Sequence, residues 1–186
     1  MLKLNHLFKG LGLFVLVAIT SSCGNLDRPS LPPEKPTGVT AKATLGSTEG
    51  NDVSGEVTFI ELEHGVRIIA EIEGLTPGGH GFHIHEFGDC SAPDASSAGG
   101  HFNPENEIHA GPSDTPRHVG DLGNLFADKN GKAYYDRVDF EVELKGENSV
   151  VGKSVIVHED RDDFVSQPTG NAGARVACGL IIQEES

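Results

Sequence analysis

Between Val39 and Gln183 the apolar residues come in short runs that alternate with polar ones, and no useful stretch repeats them at helical spacing. Alternation is the signature of a strand with one buried face, so the pattern argues against a helical bundle. The runs are VTAKATL (39–45), EVTFIEL (56–62), VRIIAEIEGL (66–75), a histidine-bearing run around 82–86, DLGNLFAD (121–128), KAYYDRVDF (132–140), SVVGKSVIVH (149–158) and ARVACGLIIQ (174–183). Turn residues separate them: Glu63-His64-Gly65, Thr76-Pro77-Gly78-Gly79, and Lys129-Asn130-Gly131, the last an Asn-Gly hairpin signal. About eight short strands at this spacing predict an all-β, immunoglobulin-like Greek-key sandwich or a barrel. Composition agrees, since 24 glycines, no tryptophan and 2 tyrosines suit a loop-rich β protein better than a helical one.

Two long segments break the alternation, 87 to about 118 and 159 to about 173. Stretches of that length without strand or helix pattern, inside a compact domain, usually carry function. The formal net charge of −14 argues against nucleic acid as a partner.

The N-terminus reads as separable. Lys3 and Lys9 precede the apolar run LGLFVLVAI (11–19), and small residues lead into Cys23. A basic start, a short apolar centre and small residues before a cut site predict a signal peptide over 1–22. The apolar run is shorter than a membrane span requires. Small residues before a cysteine resemble the lipobox of bacterial lipoproteins, with Thr20 where leucine is commoner. That resemblance implies lipidation of Cys23, attachment of the mature chain to a membrane, and a periplasmic or cell-surface location. Residues 23–37 hold four prolines and no apolar period, and read as a tether to a domain over 38–186. Exported proteins tend to pair their cysteines. Of Cys23, Cys90 and Cys178, lipidation of the first leaves Cys90 with Cys178. Such a bridge would close a loop of about 90 residues, worth about 4–5 kcal/mol on chain-entropy grounds.

Six of the nine histidines fall between His83 and His158. In GFHIHEFGDC (81–90), His83 and His85 share one face of a strand, with Cβ atoms roughly 7 Å apart. Two solvated strand histidines would look the same, so the pair alone is weak. His101, His109 and His118 lie in the first long segment, with Asp121 three residues after the last. Three imidazoles and a carboxylate are a tetrahedral zinc set, and a metal can hold a loop that packing cannot. His158 ends a strand and could complete a nitrogen-rich site with His83 and His85, of the kind that suits Cu(II). His80, in GGHGF, reads as a backbone-bonding histidine in a tight connection, His64 as a solvated turn residue, and His6 as part of the signal.

These segments together resemble the copper/zinc superoxide dismutase family. The resemblance is carried by GFHIHEFGDC (81–90), GGHFNP (99–104), HAGPSDTPRHVGDLGN (109–124), VIVHED (155–160) and TGNAGARVACG (169–179), with weaker similarity from about residue 38 onward. It implies the eight-stranded Greek-key barrel with two long functional loops. It also implies copper at His83, His85, His101 and His158, and zinc at His101, His109, His118 and Asp121, with His101 bridging the two. Asp162 matches the family carboxylate that hydrogen-bonds one copper and one zinc histidine. Arg175 matches the active-site arginine and Thr169 the threonine at the rim of the channel. The implied reaction is disproportionation of superoxide to O₂ and H₂O₂ by copper cycling beside a structural zinc, in an envelope-protecting enzyme. Family members are commonly homodimers. A non-catalytic copper- and zinc-binding envelope protein on the same fold is the alternative, and Arg175 speaks against it. Two departures stand out. The segment 159–173 is short and lysine-free, with Arg161 its only basic residue, which predicts weaker steering of an anion. Cys90 also lies earlier relative to His101 than in animal members, as in bacterial ones.

Overall fold

The computed structural model describes residues 35–185. The signal over 1–22, Cys23 and nearly all of the 23–37 tether lie outside the described residues. Eight strands form: β1 Pro36–Ser47, β2 Ser54–Leu62, β3 Val66–Glu73, β4 Gly78–His85, β5 Asp121–Ala127, β6 Ala133–Asp139, β7 Ser154–His158 and β8 Arg175–Gln183. They close into an antiparallel barrel in the order β1-β2-β3-β6-β5-β4-β7-β8. Chain order is broken at β3→β4 and β6→β7, the two crossings of a Greek key. Between sandwich and barrel, the pairing of β1 with β8 decides for the barrel and leaves no open edge. The thinnest seam is β5–β6, matched only at Ala127↔Ala133 beside the Asn-Gly turn. There the Asp128 carboxylate accepts from the N–H groups of Asn130 and Lys132.

Alternation does what the sequence pattern implies. In β3, Val66, Ile68, Ala70 and Ile72 point inward while Arg67, Glu71 and Glu73 face water. They join Phe59, Phe82, Ile84, Leu122, Leu125 and Ile181 in one core. Each large aliphatic or aromatic side chain buried there stabilises the fold by about 1.5–3 kcal/mol.

Strand β4 is the exception that positions the site. Phe82 and Ile84 enter the core, so His83 and His85 lie on the opposite face of the barrel wall. Both are nevertheless buried, because the long connections cover that face. The first connection docks on β4 by main-chain bonds: Ile84 N–H donates to Gly120 O at 2.9 Å and Phe102 N–H to Ile84 O at 2.8 Å. Gly120 is required there, since a Cβ would collide with the Ile84 carbonyl.

The structure departs from the sequence reading in several details. Gly78 and Gly79 belong to β4, which shortens the expected turn. β7 begins only at Ser154, because Gly152, at φ +81°, turns the chain before it. The first long connection is not wholly irregular, for it holds a 3₁₀ turn at Ser96–Ala98 and a bridge from His101 to His85.

Candidate metal centre

Two groups of four ligand side chains are brought together on the outer wall of the barrel. His83, His85, His101 and His158 form one, and His101, His109, His118 and Asp121 the other. Within each group the ligand atoms lie within 4.8 Å of one another, and all seven residues are buried. His83 and His85 come from β4, His158 from the end of β7, and Asp121 from the start of β5. The loop supplies His101, His109 and His118. His101 belongs to both groups, its ring 4.1 Å from His83 on one side and its Nδ1 2.8 Å from Asp121 Oδ1 on the other.

Hydrogen bonding decides which nitrogen of each ring is free. His83 Nε2 donates to Asp162 Oδ2 at 2.8 Å, leaving Nδ1 buried without a protein partner. His85 Nδ1 donates to Gly99 O at 2.9 Å and His158 Nδ1 to Gly173 O at 3.3 Å. In the neutral rings their Nε2 lone pairs then face each other across 3.4 Å. His101 Nε2 is buried and unpartnered as well. Four lone pairs converging with no donor among them are an arrangement that a cation can satisfy.

The second group is built differently, with imidazoles converging on a carboxylate. His118 Nε2 donates to Glu107 O at 3.1 Å, and its Nδ1 lone pair lies 3.2 Å from Asp121 Oδ1. His109 Nε2 donates to Asp162 Oδ1 at 3.0 Å, and its Nδ1 lies 2.9 Å from the same Asp121 oxygen. The donor sets therefore fit metal ions: four imidazole nitrogens in one, three imidazoles and a carboxylate in the other.

Electrostatics follow from burial. Desolvation holds His85 and His158 well below the usual imidazole value, aided by neighbouring rings. Burial and the nearby His83 push His101 down to about 3. Burial also lowers His83, against its bond to Asp162. For His109 burial pulls downward, yet Asp121 and Asp162 together hold it up at about 9. Burial would raise both carboxyls, but hydrogen bonds from the imidazoles hold Asp121 and Asp162 well below the usual range. The rings of the first group are thus neutral and ready to ligate at neutral pH.

Asp162 links the groups by accepting from His83 and His109. Gly170, at φ +66°, leaves room for it, since a Cβ there would strike its carboxylate. Arg175 Nη1 and Nη2 donate to Ala95 O and Gly99 O, both at 2.6 Å, and its charge reaches His85 and His158. A cavity of about 800 Å³ opens beside it, lined also by Glu49, Asp94 and Ser96. The Cys90–Cys178 disulfide is formed, tying the segment that carries Ala95 to β8. Thr169 lies half-buried beside Gly170. His80 bonds the backbone as expected, to His158 O at 2.9 Å and Thr76 O at 2.8 Å, though from within β4.

Three supporting residues escaped the sequence reading. Asn124 clamps Asp162 by both its backbone N–H and C=O, at 2.8 and 3.0 Å. Arg117 forms a buried pair with Asp139 at 2.7 and 2.9 Å and donates to His118 O at 2.9 Å. Gln167 bonds the main chain of His109. Each acts through hydrogen bonds between distant positions, and no periodicity signals that.

The family described as copper/zinc superoxide dismutase matches residues 53–181. The chain belongs to that family. An extracellular Cu-Zn superoxide dismutase of Brugia pahangi is 47% identical over 151 residues, covering 76% of this chain and 75% of that one. Cu-Zn superoxide dismutase A of Xenopus laevis is 47% identical over 147 residues, 75% of this chain and 96% of its own. A Cu-Zn superoxide dismutase of Paramecium bursaria Chlorella virus 1 is 44% identical over 176 residues, 91% and 89% of the two chains. The crystal structure of the clock protein EA4 superposes with a TM-score of 0.71 at 42% identity, covering 82% of this chain and 98% of that one. Copper and zinc are the metals of this dismutase family, and the two four-ligand groups are able to bind them.

Proposed function

We propose that this chain is a superoxide dismutase in which His83, His85, His101 and His158 hold copper and His101, His109, His118 and Asp121 hold zinc. The observation that carries the reading is the pair of buried ligand groups sharing His101. When bound, copper supplies one-electron redox chemistry and zinc a fixed charge that organises the loop. The net reaction converts two superoxide anions and two protons into O₂ and H₂O₂. Arg175, always charged, attracts the anion and orients it through charge-assisted hydrogen bonds. The carbonyls of Ala95 and Gly99 aim its guanidinium. His101 Nε2, the buried nitrogen without a protein partner, would hold copper or, when released from it, carry a proton for the product. Asp162 keeps His83 and His109 in the tautomers that present Nδ1. Thr169 narrows the approach.

The test is dismutation by the protein reconstituted with copper and zinc, beside His83→Ala/His85→Ala. Near-diffusion-limited activity that disappears in the double variant supports the enzyme. Tight binding of both metals without activity turns the reading to a non-catalytic metal protein.

The same proposal covers the ends of the chain: a signal over 1–22, lipidated Cys23, a tether to 37 and the catalytic domain over 38–186. The lysines and apolar run before Cys23, the disulfide and the early position of Cys90 support a bacterial-type, exported, membrane-anchored member. The printed description of the Brugia pahangi relative as extracellular fits export. Periplasmic or cell-surface placement follows, with protection of the envelope from superoxide as the role. Mass spectrometry of the membrane-associated protein finds acyl chains on Cys23 if this is right, and Cys23→Ala releases it. A homodimer is supported by two exposed apolar side chains, Phe87 and Leu180, the second of which lies against Gly88, the residue after Phe87. Sedimentation of the protein and of Phe87→Glu tests it.

A further inference from the structure

Gln167 holds His109 by its main chain. It lies exposed in the connection between β7 and β8, 58 residues from His109. Its Oε1 accepts the His109 N–H at 2.8 Å, and its Nε2 donates to the His109 carbonyl at 2.8 Å. Only a primary amide presents a donor and an acceptor side by side in this way, so the side chain closes a two-bond bridge as a neighbouring strand would. A second bond, from Nε2 to Val165 O at 3.3 Å, fixes which way the amide points. Turned over, it would set donor against donor and acceptor against acceptor.

The same segment grips His109 a second time. Asp162 accepts from the ring Nε2 at 3.0 Å, while Nδ1 points to Asp121 at 2.9 Å. Asp162 prevents the ring from turning, and Gln167 prevents the main chain beneath it from lifting. A multidentate metal site opens one ligand at a time, and on the zinc side His109 is the ligand held by the β7–β8 connection. We propose that Gln167 is a positioning residue that sets how long zinc is retained, by latching the main chain of His109 to that connection. This rests on the reading of His109 as a zinc ligand. Partners that orient metal ligands change affinity by about 10–100-fold when removed. Water competes at the exposed Gln167, so about 10-fold is expected.

The experiment uses the copper- and zinc-loaded protein with Gln167→Met and Gln167→Glu. Methionine keeps length and loses both hydrogen bonds. Glutamate keeps shape and the acceptor for His109 N–H, but sets an oxygen against the His109 carbonyl. Zinc transfer to an excess of chromogenic chelator is followed at neutral pH, and copper retention is measured over the same interval. Zinc release about 10-fold faster in both variants, with copper retained as in the parent, is the expected result. Zinc release within twofold of the parent overturns the latch, as does loss of copper and zinc in step. Failure of both variants to fold overturns it too, by making Gln167 a folding determinant. If the parent itself takes up no zinc, it is the reading of the site that fails.

Discussion

Removing Arg117 should destabilise the protein more than any exposed charge could. Arg117 is 6% exposed and Asp139 1%, and Nη2 contacts both carboxylate oxygens, at 2.7 and 2.9 Å. Arg117→Met keeps most of the volume and leaves Asp139 charged in the interior. The carboxylate would retain the N–H groups of Glu141 and Val142 at 3.0 and 3.1 Å, which solvate it only in part. Breaking a buried pair from one side costs about 3–5 kcal/mol. The His118 carbonyl also loses its bond to Nη1 at 2.9 Å, so the loop bearing His118 loosens. Urea unfolding of the metal-free protein measures the cost. With a slope of about 2 kcal/mol/M, a loss of 4 kcal/mol moves the midpoint by about 2 M. Asp139→Asn, which removes the charge and keeps an acceptor, should cost less, and the double variant Arg117→Met/Asp139→Asn should cost less than the two singles added. A loss below about 1 kcal/mol for Arg117→Met, comparable to an exposed pair such as Arg67–Asp136, would refute the reasoning.

Opening the disulfide with Cys90→Ser and Cys178→Ser should cost up to about 4–5 kcal/mol, read by thermal unfolding. Dismutation should fall as well, because Ala95, whose carbonyl aims Arg175, lies in the segment the bridge ties down. Metal-free protein should lose stability as pH falls below about 6.5: unfolded imidazoles then take up protons, while His83, His85, His101 and His158, all lowered in the fold, resist. His109, raised to about 9, works the other way, its contribution being complete below about 6.5 and lost as pH rises through 9; urea midpoints across pH 4–10 should therefore peak between the two arms. Steering should be weak, since Arg161 is the only basic residue in 159–173 and Asp94 faces the same cavity as Arg175. Asp94→Asn should raise the second-order rate at low salt by about twofold, an effect that disappears by about 1 M salt; no change at low salt would remove Asp94 from the approach field.

The strands were legible because alternation is a local property. Val66, Ile68, Ala70 and Ile72 announce an inward face whatever β3 pairs with. His83 and His85 share a face for the same reason, and the residue types pointed to metal, while the full assignment of two groups sharing His101 came from the family resemblance. Boundaries were less legible: β7 had to wait for Gly152, whose positive φ no hydropathy pattern records.

What only the tertiary structure decided is which local elements meet. Closure of β1 on β8, and the burial of β4 on both faces, depend on two crossings that link positions far apart in the chain. The same crossings bring Asn124 to Asp162, Arg117 to Asp139 and Gln167 to His109. They also settle which nitrogen of each histidine is free, because the carbonyls and carboxylates that take the other proton come from separate segments. A sequence records what each residue can donate or accept. Only the fold supplies the partner, and in a buried site the partner determines the tautomer and with it the chemistry.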